Sequence, residues 1–391
     1  MNCLKKKIGI IGGGQLGKMM ILDAKKLGFY VITLDPTLNC PSHSLSDEHI
    51  VAAFDDEEAI KKLAEKSDVI TYEFEHISIS ALEKIEKDGH IVYPTVSSLA
   101  TIQNKFTQKS LLHEKNIPVP EFEKVNDEND IKIMGSHYSY PIMLKSCTGG
   151  YDGKGNVIIQ NEAMIAEAYS ALGGGAVPLM VEKFVPFMME ISVLACRGIE
   201  GDIVIYPVGQ NIHRNSILDE TIVPASISSE CTRKAMELAY DVMEIFHGVG
   251  MFCVEMFVTT NEEIFINEVA PRPHNSGHYT IEGCLTSQFE QHIRAITGLP
   301  FGDVSLRCPT VMRNLLGEEE AEGSTLVEGL EEVFKLPNVK VHIYGKQEVK
   351  PGRKMGHLTV CASTVEKARS EASQAKAIIK IIAEHEGNIN D

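Results

Sequence analysis

Short apolar runs, separated by stretches with apolar residues every three to four positions, set the rhythm of the first hundred residues. Lys7 to Ile11 reads as a strand entering Gly12-Gly13-Gly14-Gln15-Leu16-Gly17; a helical pattern continues through Leu27, and Tyr30 to Leu34 is a second strand ending at Asp35. Strand Val69 to Tyr72, helix Ile79 to Lys87 and strand Ile91 to Tyr93 repeat the alternation, which predicts an open, parallel α/β domain. A boundary is expected near Ser97 to Asn104, then a helix over Lys105 to Lys115 that stops before the linker Ile117-Pro118-Val119-Pro120. Beyond it the pattern turns to strands: Pro141 to Lys145, a return strand Val157 to Ile159, then Met180 to Val185, one opened by Glu190, and a β-like stretch between Val204 and Val223. Thr232 to Phe246 is an amphipathic helix. Phe252 to Val258 and Ile264 to Ile266 form a hairpin about the polar turn Thr259 to Glu263, with Asn267 and Glu268 expected just past the strand's end. Helix Ser287 to Thr297 follows, and from about Thr310 the chain is β-rich until a last helix, Val365 to His385.

At 391 residues and 43% hydrophobic the chain supports two to four globular domains. A net charge of −17 argues against nucleic acid or an anionic membrane as main partner, so any anion site must be local. The nine cysteines form no CxxC pair, the apolar run after Lys5 to Lys7 is too short for a secretory signal, and no run approaches a membrane span. These features predict a reduced cytoplasmic protein without structural zinc.

Acids placed within apolar strands change this picture. Glu255 interrupts FCVEMFV and Glu268 follows IFIN; a buried carboxylate is costly unless paired, and the hairpin brings both to one patch. With Asn267 they form a hard oxygen set suited to Mg²⁺ shared with substrate phosphates. Pro271 and Pro273 hold Arg272 and His274 in a stiff, extended backbone. Gly12 to Gly17 with Asp35 has the form of a dinucleotide fingerprint; it equally describes a helix N-terminus open to any anion. Glu73 and Glu75 lie at a strand end, where ligand crevices of such sheets form. Ser146 to Asn156 is a second glycine-rich loop, read as a flap over phosphates with Lys145 and Lys154 as counter-charges. Glu182, Lys183 and Glu190 could serve an adenine and a ribose, His213 and Arg214 could touch phosphates, and Lys346, Lys350, Arg353 and Lys354 cluster as a basic turn.

The motifs GGGQLGKM, TYEFEH, KSCTGGYDGKGN, VEKFV, FCVEMFV, NEVAPRPHNSGHYT and PGRKMGHL, in this order, resemble the N5-carboxyaminoimidazole ribonucleotide synthases of the ATP-grasp superfamily. The resemblance spans nearly the whole chain. It implies an α/β ATP-grasp fold: a Rossmann-like pre-ATP-grasp domain at 1–104 that does not bind NAD, an ATP-grasp domain at 105–300 with a flap subdomain near 120–185, and a small C-terminal β-rich subdomain at 301–391. It also implies a cytoplasmic homodimer that uses ATP, bicarbonate and 5-aminoimidazole ribonucleotide. Carried over by position, ATP lies among Lys105, Lys145, Gly150, Tyr151, Asp152, Gly153, Lys154, Gly155, Asn156, Glu182, Lys183, Phe184, Val185, Glu190, His213, Asn267 and Glu268. Magnesium falls to Glu255 and Glu268. The ribonucleotide lies along Gln15, Leu16, Glu73, Tyr151, His274, Asn275, Ser276, Lys346, Arg353 and Lys354. Arg272, Lys145 and Lys154 are the catalytic cations. Position 105 is Lys where some family members carry Arg, and the phosphate role is expected to survive that exchange. A nicotinamide dehydrogenase, an ATP-grasp ligase with another acceptor and a catalytically silent binding protein are the competing readings.

Overall fold

Tyr30–Leu34 and Val69–Tyr72 pair in parallel with the two edges of Lys7–Ile11, and Glu48–Ile50 extends the sheet beyond Tyr30–Leu34. Helices cover this sheet, so its strands are apolar along almost their whole length. Its helices Glu57–Lys66, Ile79–Lys87 and Val96–Ile102 start where Asp56, Ser78 and Thr95 accept hydrogen bonds from first-turn N–H groups. A computed structural model describes residues 6–150 and 155–384.

The second layer is a small antiparallel sheet in the order Phe122–Val125, Leu179–Lys183, Ile142–Ser146, Asn156–Ile159. Helices Glu128–Tyr138 and Ile165–Ala171 close a separate core on it. The central sheet runs from one edge through Ile264–Ala270, Gly250–Thr259, Phe187–Arg197, Gly209–Arg214 and Ile217–Val223 to Thr310–Leu316, Lys354–Cys361 and Val339–Ile343. Helix Ser229–Phe246 buries its apolar stripe against the first half, and helix Val365–Ile378 packs on the second. One sheet therefore joins the second layer's neighbourhood to the C-terminal residues without a break.

Three expectations need correction. The strand after the Thr259 to Glu263 turn extends to Ala270, so Asn267 and Glu268 lie inside the ladder; pairing with Cys253 to Met256 carries it on. The last helix ends at Ile378 because Ile379 turns extended and Lys380–Ala383 pairs with Gly323–Glu328. Ile91 to Tyr93 contributes only a single parallel bridge, Ile70 to Val92.

The N-terminal sheet and the central sheet meet at His292 on helix Gln288–Thr297. Its Nδ1 accepts from the Met251 N–H at 3.0 Å, so Nε2 carries the proton and faces Thr71 Oγ1 at 2.8 Å. A Cβ on Gly250, at φ +109°, would come within 3.0 Å of the ring, so this approach needs glycine. Burial pushes the His292 pKa down to about 3. The unfolded chain takes up this proton below pH 6.5 and the folded one does not, so stability is lost as pH falls. His292→Gln, which cannot titrate, is expected to lose about 1.4 kcal/mol less than the parent between pH 7.5 and 5.5, read from urea unfolding at the two pH values. Equal losses would show that the histidine is not held neutral.

Candidate active site

Antiparallel pairing of Gly250–Thr259 with Ile264–Ala270 sets Glu255 directly across from Glu268, with a bulge immediately after Glu255. Like charges at such positions repel. Burial and then the Glu268 charge push the Glu255 carboxyl up to about 7. Burial also works against Glu268, but Lys105 Nζ at 2.6 Å, helped by Lys145 and Lys109, holds it below the usual carboxylate range. The two carboxylates with the Asn267 amide are hard oxygen donors, and a divalent cation between them would relieve the repulsion that raises Glu255. They fit Mg²⁺, which takes one or two carboxylates and completes its shell with water and phosphate oxygens. Among the described residues no group of three or more His, Cys, Asp or Glu is placed to hold a metal ion.

A wall of cations faces this pair. Lys105 is the first residue of helix Lys105–Glu114, and its N–H donates to the Cys147 carbonyl. Lys145, on Ile142–Ser146, lies 2.6 Å from Glu182 Oε2 and 3.3 Å from Asn267 Oδ1. Lys109 Nζ lies 3.0 Å from the other Glu182 oxygen, and both members of that pair are almost wholly buried. Burial lowers the Lys109 pKa to about 8, while the two lysines keep Glu182 below its ordinary value against a strong burial penalty. Lys109 thus shares Glu182 with Lys145, leaving part of the Lys145 charge for a ligand. Sequence reading missed it, although spacing carried a signal: residues four apart on a helix share a face, and Lys109 is one turn from Lys105.

Glu190 and His213 meet at 2.9 Å across neighbouring strands. Burial lowers the His213 pKa, but the Glu190 hydrogen bond and charge prevail and raise it. Lys183 pairs with Glu121 at 2.5 Å and its N–H donates to the Glu121 carbonyl, so both groups are engaged at the strand's end, where the chain continues into Phe184 and Val185. The glycine loop is closed by the Ser146 N–H donating to the Gly155 carbonyl; Gly150, Gly155 and Asn156 frame it. Tyr151, Asp152, Gly153 and Lys154, expected at the ligands, lie outside the described residues.

On the other side, Arg272 Nε lies 2.8 Å from Glu75 of the N-terminal domain. His274 Nε2 is 3.8 Å from Glu255, its Nδ1 accepts from the Ser276 N–H at 3.3 Å, and burial followed by the Arg272 charge holds it neutral. Buried Gln288 clamps this segment, accepting from the His274 N–H at 2.9 Å and donating to its carbonyl at 2.8 Å. Asn275 and Asn314 exchange two amide hydrogen bonds, of 2.9 and 2.7 Å. Neither Gln288 nor Asn314 carried a sequence signal; each acts through a contact across long sequence separation. The charges of Lys346 and Lys354 reach Glu73 and His274 respectively. Lys346 Nζ donates to the Lys354 carbonyl at 2.7 Å, whereas Arg353 turns its guanidinium onto the Glu348 carbonyl.

The N-terminal glycine turn is filled by the protein itself. Glu73 accepts from the Gly14 and Gly17 N–H groups, at 2.5 and 2.7 Å, and Asp35 accepts from Gly13 at 2.8 Å. A Cβ on Gly12 would lie 2.3 Å from Glu73. Leu16 is buried in the core, leaving Gln15, at the start of the helix, the more open of the two neighbours. A pyrophosphate finds these three N–H groups taken, and Asp35 is not free for a ribose. The dehydrogenase reading fails here.

Opposed carboxylates on a hairpin, lysines facing them from a helix and from a separate small sheet, and a glycine-rich loop that follows that sheet's Lys145 define an ATP-grasp enzyme. The ATP-grasp domain family matches residues 110–289, the ribonucleotide synthetase preATP-grasp domain residues 5–103, and the phosphoribosylaminoimidazole carboxylase C-terminal domain residues 310–371. The N5-carboxyaminoimidazole ribonucleotide synthase of Bacillus subtilis is 46% identical over 353 residues, 90% of each chain. The crystal structure of the Thermotoga maritima synthetase superposes with a TM-score of 0.88 at 45% identity, covering 97% of this chain and 100% of that one. That of the Aspergillus clavatus enzyme in complex with ADP and 5-aminoimidazole ribonucleotide gives 0.89 at 36% identity, covering 96% and 99%. The chain belongs to the N5-carboxyaminoimidazole ribonucleotide synthase family, whose members are ATP-grasp ligases.

Lys109→Met leaves Lys145 as the remaining partner of buried Glu182, so it is expected to destabilise the fold by less than the about 3 to 5 kcal/mol of a buried charge left wholly unpaired. Lys109→Met with Glu182→Gln should cost clearly less than the sum of the two single changes, measured as a double-mutant cycle by urea unfolding. Strict additivity would mean the pair is not coupled.

Proposed function

We propose that this site carries out the ATP-dependent carboxylation of 5-aminoimidazole ribonucleotide with bicarbonate, yielding N5-carboxyaminoimidazole ribonucleotide, ADP and phosphate in purine biosynthesis. The observation that carries the reading is one of convergence: the Glu255–Glu268 pair, the Lys105 and Lys145 ammonium groups and the Arg272–His274 segment surround one cleft, with the basic C-terminal turn at its edge. ATP lies along the lysine wall, with Glu190 and His213 toward its ribose end and the Glu182 to Val185 backbone along its base. Glu255 and Glu268, with Asn267 beside them, hold Mg²⁺, which when bound offsets charge on the phosphate oxygens.

The chain's own residues do the rest. Lys105 and Lys145 offset the charge that develops as bicarbonate oxygen attacks the γ-phosphorus and ADP leaves, where positioning and electrostatics dominate. Arg272, fixed by Glu75, and neutral His274, with its proton on Nε2, orient the carboxyl group of the resulting carboxyphosphate. The substrate amine then bonds to that carbon, the bond from carbon to the phosphate oxygen breaks, and phosphate departs with the proton that the amine gives up. Lys154 and the loop around it are assigned to cover this intermediate against water. Lys346, Lys354 and, from the rim, Arg353 take the ribonucleotide phosphate, with Gln15, Asn275 and Ser276 along its path. Glu73 contributes by holding the Gly14 turn in place. The same reading carries the division at 1–104, 105–300 and 301–391, a homodimer, which light scattering checks, and a cytoplasmic setting.

ADP release is expected to require bicarbonate and to rise on addition of 5-aminoimidazole ribonucleotide. Release driven by formate, or indifference to the ribonucleotide, contradicts the acceptor assignment. Glu268→Gln should lower turnover at least about a hundredfold in a folded protein. Lys354→Ala should raise the KM for the ribonucleotide about tenfold or more, as loss of one charge-assisted phosphate contact does, with the KM for ATP unchanged. A shift in the ATP constant instead would move Lys354 to the nucleotide side.

A further inference from the structure

Side chains alternate along a strand, so Arg313 lies on the opposite face of Thr310–Leu316 from Asn314, which reaches Asn275 in the cleft. On that far face three cations converge on one carboxylate. Arg313 Nη2 lies 2.5 Å from Asp219 Oδ2, Arg214 Nε lies 3.2 Å from the same oxygen, and Lys376 Nζ pairs with Oδ1. Asp219 is buried, so solvent does little to spread this charge. Nearby acids are already matched: Glu220 with Arg369 at 3.0 Å and Glu318 with Lys380 at 3.4 Å. Three positive charges on a single negative one leave a local surplus of two on a chain of net charge −17. Lys376 registers it, since burial lowers its pKa and the charges of Arg313 and Arg214 oppose the pull of Asp219. The Arg313 Nε is buried without a hydrogen-bond partner.

This cluster forms one wall of a cavity of about 350 Å³ beside helix Val365–Ile378. Arg313, Lys376, the Ser373 hydroxyl and the Glu318–Lys380 ion pair supply its polar side; Leu316, Ile379 and Ile381 supply an apolar one. Ser373 Oγ accepts from Arg313 Nη1 at 3.0 Å, which leaves its own hydrogen to donate. We propose that this cavity is a second binding site, separate from the catalytic cleft, for a small phosphomonoester. The dianion supplies the missing counter-charge beside Arg313 and Lys376, Ser373 donates to a phosphate oxygen, and the organic group of the ester covers the apolar wall.

Isothermal titration with phenyl phosphate as probe tests this on the full chain. Wild type should bind it, Lys376→Gln at least about tenfold more weakly and Lys380→Glu at least about fivefold, while Lys354→Ala in the cleft binds as wild type does. Lys380 is half exposed, so its variant folds and decides the matter should Lys376→Gln not fold. Inorganic phosphate should bind about tenfold more weakly than the ester, because it leaves the apolar wall wet. The proposal is overturned if wild type does not bind the probe, if Lys376→Gln and Lys380→Glu bind it unchanged, if binding is lost in Lys354→Ala, or if inorganic phosphate binds as tightly.

Discussion

Two carboxylates held opposite one another on paired strands are a standing electrostatic cost, and the cleft is arranged around that cost. Glu255 and Glu268 cannot move apart, because the ladder that fixes them continues on both sides and their strand neighbours Val254, Met256, Ile266 and Val269 are buried. The bulge after Glu255 shifts the register once, and no further. Cations answer much of that charge: Lys105 touches Glu268, Lys145 stands behind Asn267, and Lys105 and His213 pull against the repulsion at Glu255. On the function proposed, the pair would give Mg²⁺ and a polyphosphate together a place that neither has alone on so acidic a protein.

The cleft is a property of the whole chain. Glu75 from the N-terminal sheet orients Arg272, His292 locks that sheet to the central one through Thr71, and Lys18 donates to the carbonyls of Ile343 and Tyr344 near the C-terminal turn. The glycine turn of the N-terminal domain has kept the anion-binding geometry of a helix start, and the anions it binds are Glu73 and Asp35 of its own chain. A motif that elsewhere receives a cofactor here fastens a strand end to a helix.

Much of this was legible in the sequence, and the reasons differ by residue. Glu255 and Glu268 stood out because acids within apolar strands need an explanation, and the short turn between their strands dictated the pairing. Pro271 and Pro273 marked Arg272 and His274 through backbone stiffness alone. Lys109, Gln288 and Asn314 did not stand out, because their partners Glu182, His274 and Asn275 are remote in sequence or across a turn, and only the packed structure brings them together. The end of the last helix was misjudged because Ile379 and Ile381 fit a helical stripe as readily as they fit the strand that pairs with Gly323–Glu328. The fingerprint around Gly14 was ambiguous for a physical reason: an N–H cradle does not specify which anion fills it.

The central claim is that the opposed carboxylates are the metal half of the nucleotide site. Its most direct test is calorimetric titration of ADP with Mg²⁺ and with a chelator, on wild type and on the Glu255→Gln, Glu268→Gln double variant. Mg²⁺ should tighten ADP binding about tenfold or more in the wild type, and the increment should vanish in the double variant. The same increment in both proteins would contradict the account, because it would place the metal on other ligands.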